Sequence, residues 1–147
     1  MPNPSMTHQI LVMWALRKIQ ADGFIPLAYD GVLPQFDCQR RLQYPPIVSG
    51  IRPDAFAFSP SNGVFAFGEA KTVFDVESTH TRHQLLSYAR MTGLGGDGQA
   101  CLYIVVPRSA SKLLDRVLAE VGLIAARQLR RMHIPDCFVE DRSVSNA

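Results

Sequence analysis

Asp54, Glu69 and Lys71 stand at the ends of two phenylalanine-rich apolar runs, IRPDAFAF and VFAFGEAK. Charges so placed need solvent, partners or a metal, because a lone charge against apolar surface is costly. Two chemistries suit them. The three side chains can close the end of a sheet as an ion-paired cluster, or the two carboxylates can act as hard oxygen ligands with a lysine beside them. Their geometry follows from the runs. Both are rich in strand formers, and the SPSNG between them has turn composition ending in Asn-Gly, which predicts a hairpin over 52–58 and 64–72. Strand alternation puts Asp54, Phe56 and Phe58 on one face, and Phe65, Phe67, Glu69 and Lys71 on one face of the partner. Antiparallel pairing sets the start of the first strand against the end of the second, so the three charges converge.

The elements around the hairpin come from periodicity. Residues 7–21 read as a helix with Gly23 just past its end, and its apolar residues cover more than one face. Such a helix is either sandwiched in the core or shared with a second subunit. A short strand is expected at 25–29, then irregular chain to Gly50. A second helix at 78–91 has Leu85, Leu86 and Ala89 as its buried stripe, with Thr81, Gln84 and Tyr88 along one border. The continuous apolar run 100–107 suits the sheet centre, and 109–121 reads as a third helix. After Gly122 a short strand at 123–126 and a continued helix both fit. The Gly-rich loop 93–98 precedes a strand and lacks the Lys-Ser/Thr of a phosphate cradle, so it is a connection. The order predicts a single α/β domain over 1–147, a mixed sheet with helices on its two faces.

Composition bounds the function. With 47% hydrophobic and 19% charged residues over 147 positions, the chain is an ordinary globular protein. No apolar stretch is long enough to span a bilayer, and the N-terminal residues do not read as a signal peptide, so a cytoplasmic location is expected. Cys38, Cys101 and Cys137 are odd in number and far apart, which suggests free thiols. His80 and His83, three apart, read as a solvated helix face. A net charge of +2 does not announce a nucleic-acid binder. Arginines do cluster, at Arg40 and Arg41, at Arg82 and Arg90, and at Arg127, Arg130 and Arg131.

Pro53-Asp54, fourteen intervening residues, then Glu69-Ala70-Lys71 resembles the motif of the PD-(D/E)xK nuclease superfamily. The following helix carries Gln84-Leu85-Leu86-Ser87-Tyr88, similar to the QxxxY motif of its recombination and exonuclease branch. The resemblance covers residues 7–121, and it implies a restriction-endonuclease-like α/β core in αβββαβ order. It further implies metal-dependent hydrolysis of phosphodiester bonds in DNA, as an endonuclease or exonuclease. A non-cleaving member of the same fold that binds nucleic acid or protein is the alternative.

The roles implied fit the chemistry. Phosphodiester hydrolysis needs a positioned water and neutralised phosphoryl charge, which magnesium, or manganese in its place, supplies. Asp54, Glu69 and the carbonyl of Ala70 would form a partial metal shell. Lys71 would stabilise the developing charge or orient the water. Gln84 would meet a phosphate or a metal-bound water, and Tyr88 would brace the site or contact substrate. Arg82, Arg127, Arg130 and Arg131 would contact DNA phosphates. Many relatives add a glutamate from the first helix. Here no acid precedes Asp22, and His8 and Gln9 are the nearest inward polar residues, so one-metal chemistry is expected. At such a site, deleting either carboxylate should relieve repulsion in the metal-free protein. Cutting two strands symmetrically suits a homodimer, with Met13 and Trp14 as interface residues.

Overall fold

A computed structural model describes residues 6–30, 50–92 and 100–139, without the side chains of residues 91 and 92. Cys38, Arg40, Arg41 and the 93–98 loop lie outside the described residues. Helix α1 (Met6–Ala21) is followed by strands β1 (Ile25–Tyr29), β2 (Ala55–Ser59) and β3 (Val64–Ala70). Helix α2 (Thr79–Thr92), strand β4 (Ala100–Pro107), helix α3 (Ser111–Glu120) and strand β5 (Leu129–Ile134) complete the order. The five strands form one mixed sheet in the order β1-β2-β3-β4-β5. The first three pair antiparallel, while β3, β4 and β5 pair parallel. No helix among the described residues is long and apolar enough to cross a membrane.

Strand alternation divides the core into two layers. Ala55, Ala57, Ala66, Ala70, Cys101, Tyr103 and Val105 meet Leu11, Val12, Ala15, Leu16 and Ile19 of α1. On the opposite face Phe67, Leu102, Ile104 and Val106 meet Leu85 and Tyr88 of α2 and Leu114, Val117 and Leu118 of α3. Covered on both faces, β4 is buried at all eight positions, which is why its sequence is unbroken apolar.

The alanines under α1 let the helix lie close to the sheet, and Gly68 completes that smooth floor. A Cβ built on Gly68 would stand 3.0 Å from the Cβ of Ala55 and 3.3 Å from Cδ1 of Ile19. The Ala55 methyl cannot rotate away, so Gly68→Val is expected to cost about 1–3 kcal/mol by overpacking. Urea denaturation read by circular dichroism checks this, and an unchanged midpoint would mean that α1 packs less tightly.

Several sequence expectations need correction. Leu86, assigned to the buried stripe of α2, is exposed, and the buried positions are Thr81, Gln84, Leu85 and Tyr88. Polar residues therefore take the core face, because the charges at the end of β3 need partners there. Residues 123–126 are neither strand nor helix, and the fifth strand comes later, at Leu129–Ile134. Its LRRMHI lacks clean alternation, as befits an edge strand with polar groups toward water. The third helix opens with a 3-10 turn at Arg108–Ala110. Apart from these corrections, Trp14, expected with Met13 at a dimer interface, keeps part of its surface exposed while stacking on Phe138 at 6.2 Å and sitting beneath the Arg17 guanidinium at 5.5 Å.

Candidate active site

The structure brings Asp54, Glu69 and Lys71 together where β2 begins and β3 ends. The β2–β3 register pairs Ala55 with Gly68, so Asp54, one residue before the strand, arrives beside Glu69. Asp54 is tied down from two sides. Its Oδ2 accepts the Ala70 N–H at 2.8 Å and lies 3.2 Å from Nε2 of His8, in the first turn of α1. Lys71 stands one residue past β3, and its backbone N–H still continues the ladder onto the Val105 carbonyl at 3.0 Å.

Helix α2 braces the other two groups. Tyr88 donates its hydroxyl to Oε1 of Glu69 at 2.6 Å, and Lys71 Nζ donates to Oε1 of Gln84 at 2.5 Å. The spacing explains itself. Two strand residues advance ~6.6 Å and four helical residues ~6.0 Å, so an acid-x-Lys on a strand matches a Gln-x-x-x-Tyr on an antiparallel helix one to one. Gln84 thus meets the lysine, and Tyr88, with none of its surface exposed, holds the acid. Lys71 Nζ is also 3.9 Å from Oε2 of Glu69.

The cluster is out of water, with Glu69 only 2% and Lys71 7% exposed. Burial, followed by the charge of Asp54, pushes the Glu69 carboxyl well above its usual range, and the Lys71 ammonium opposes this without prevailing. Burial also raises Asp54, but the hydrogen bond and charge of His8, with the Ala70 N–H and Lys71, outweigh it and leave that carboxyl low. Burial alone would lower His8. Its hydrogen bond to Asp54 and the charge there win, and His8 is raised. Burial and the Glu69 carboxylate keep the Tyr88 hydroxyl protonated and donating. Two neighbouring carboxyls thus meet His8 on one side and Lys71 on the other, and their environments push them apart.

Those donors suit a small hard cation. Magnesium takes one or two carboxylates and fills its remaining positions with waters and substrate oxygens. Asp54 and Glu69 supply the carboxylates. The N–H and C=O of one strand residue point to the same side, so the Ala70 carbonyl faces the Asp54 edge along with its N–H. No cluster of three or more His, Cys, Asp or Glu that could hold a metal gathers among the described residues.

The nominated arginines lie elsewhere, mostly in ion pairs. Arg82 pairs with Glu120 at 2.8 Å and also donates to the Glu77 carbonyl. Arg131 pairs with Asp115 at 2.5 Å, and Arg130 donates to Asp22 at 2.9 Å. Arg127 is exposed. Arg130 belongs to a polar knot in which Asp22 also accepts the Tyr103 hydroxyl at 2.6 Å and faces Lys18 at 3.0 Å.

Burial raises Asp22, but the bonds from Tyr103, Lys18 and Arg130 together hold it below its ordinary value of 3.8. A depressed folded pKa contributes stability above that ordinary value and loses it as pH falls through the folded one. Asp22→Asn is therefore expected to cost about 1–2 kcal/mol at neutral pH. The gap to wild type should close in acid, and urea midpoints measured across the acid range check this.

His8 is the site residue whose role sequence reasoning missed. It was legible only as an inward polar residue on a helix lacking an acid. Nothing local in the sequence sets α1 across the sheet so that its first turn reaches Asp54. Comparison of the chain with family models, with curated proteins and with solved structures gives no match.

Proposed function

We propose that this chain is a magnesium-dependent DNA nuclease with a restriction-endonuclease-like core, a member of the PD-(D/E)xK superfamily. The observation that carries the proposal is the buried convergence of Asp54, Glu69 and Lys71, each held by its own brace: His8 and the Ala70 N–H, Tyr88, and Gln84. The element order α1-β1-β2-β3-α2-β4 supports it, since the superfamily core is expected to read αβββαβ.

Asp54, Glu69 and the Ala70 carbonyl would hold magnesium, with manganese as a substitute, and the ion would supply a nucleophilic water and neutralise phosphoryl charge. The protein's own groups do the rest. His8 and the Ala70 N–H fix Oδ2 of Asp54, and the other oxygen would be the one offered to the ion. Tyr88 fixes Oε1 of Glu69 in the same way. Lys71 has three N–H donors, of which Gln84 takes one, so the ammonium can point another at a phosphoryl oxygen. Held by packing rather than by solvent, that charge needs no reorganisation as negative charge builds on the phosphate. DNA would be followed by Arg127, and by Arg82, Arg130 and Arg131 on exchange of their carboxylate partners for phosphates. A homodimer would place two sites on opposite strands.

Incubation with labelled duplex, branched and single-stranded DNA, in magnesium and in EDTA, tests the proposal. Cleavage that needs magnesium is expected. Tight binding with no cleavage of any substrate would favour the non-cleaving alternative.

A further inference from the structure

Phe74 lies in the turn between β3 and α2, three residues past Lys71, with 94% of its surface in water. A single exposed apolar side chain is ordinary on a floppy loop. This turn is braced. The Asp75 carboxylate accepts the Thr72 N–H at 2.6 Å and its hydroxyl at 3.2 Å, and the Phe74 N–H donates to the same hydroxyl at 3.3 Å. The Asp75 carbonyl accepts the Thr81 hydroxyl at 2.7 Å, which fastens the turn to α2. Val73 packs against the core and Val76 is fully buried, so both flanks of the turn are anchored while the ring between them stays in water.

The turn adjoins the site. Three residues of chain span at most ~11 Å from Lys71. Along the turn the polar residues Thr72, Asp75 and Glu77 alternate with Phe74, while Val73 and Val76 belong to the core side. That surface suits a protein partner poorly, since such docking needs a contiguous apolar patch. It suits one flat apolar object bordered by polar atoms. Next to a phosphate at Lys71, that object is a nucleobase.

We propose that Phe74 is a positioning residue that stacks on an unpaired base beside the scissile phosphate, making single-stranded or frayed nucleic acid the preferred substrate. This rests on the nuclease reading above and names its substrate class. Duplex bases are already stacked on their neighbours, so the ring gains a face only where a base is unpaired.

The test uses short single-stranded oligonucleotides carrying 2-aminopurine at each position flanking the mapped cut. Fluorescence is read in calcium, which is expected to fill the site without supporting the reaction, and cleavage kinetics are read in magnesium. Wild type is expected to quench the probe at one position. Phe74→Ala should lose that quench and raise KM roughly tenfold or more with little change in kcat, while Phe74→Trp restores both. Melting should be unmoved in either variant, since the ring buries nothing. Cleaving wild type with an unchanged KM and quench in Phe74→Ala would overturn the stacking role and leave the nuclease reading standing. Failure of Phe74→Trp to rescue would also overturn it. A wild type that neither binds nor cuts any nucleic acid would overturn both.

Discussion

In metal-free buffer Glu69→Gln is expected to be more stable than wild type at neutral and alkaline pH, while its DNA cleavage falls at least a thousandfold. Glutamine keeps the acceptor oxygen for Tyr88 and removes the charge. The Glu69 carboxyl is raised above its ordinary value of 4.5 by burial first and by Asp54 second. A group so raised contributes stability that is complete below the ordinary value and is lost as pH rises through the folded one. Wild type should therefore weaken with rising pH, and the variant should not. Each unit by which the folded carboxyl is raised makes the gap at alkaline pH larger by about 1.4 kcal/mol. Millimolar magnesium should then stabilise wild type alone and narrow the gap. Urea midpoints against pH, in EDTA and in magnesium, give both numbers. Wild type more stable than Glu69→Gln at every pH in EDTA would make the site an ordinary ion cluster.

The structure separates two carboxylates that the sequence treats alike. Deleting either was expected to relieve repulsion, but Asp54 carries the Ala70 N–H and His8 and is held low. Its removal strands those partners, so the relief belongs to Glu69 alone.

Lys71→Met is the second large effect. With the aliphatic stem kept and the ammonium gone, kcat should fall by roughly 10²–10³, the loss typical of one preorganised charge at a developing oxyanion. Oligonucleotide binding in calcium should persist, because the carboxylates remain. Stability should also fall by about 3 kcal/mol at about pH 8, since the buried carboxyls lose their counter-charge and Gln84 its donor. In acid the deficit should shrink as Glu69 takes up a proton. Pairing Lys71→Met with Glu69→Gln should restore most of the lost stability, and the double-mutant cycle gives the coupling. Simple additivity would mean that the 3.9 Å separation carries no energy.

The sequence displays this site well because the site is local. One strand end supplies Glu69 and Lys71, the hairpin register supplies Asp54, and the next helix supplies Gln84 and Tyr88 at a period that can be counted. The strand Ala100–Pro107 was legible for a related reason, since burial on both faces leaves no polar residue to blur it. What escaped depends on distant packing. His8 reaches Asp54 across 46 positions, and Arg130 reaches Asp22 across 108. Arginines clustered in sequence read as a phosphate-binding patch, yet carboxylates from other elements meet three of the four. Strand β5 hid behind its own charges, as edge strands do.

The central claim is that Asp54, Glu69 and Lys71 hydrolyse phosphodiester bonds in DNA. Single-turnover cleavage of end-labelled DNA in magnesium, by wild type and by folded Glu69→Gln and Lys71→Met prepared in parallel, tests it most directly. The expected result is magnesium-dependent product from wild type and its loss from both variants, with calcium-supported binding by Lys71→Met intact. Equal cleavage by all three proteins, or no cleavage by wild type on any DNA structure, would contradict it.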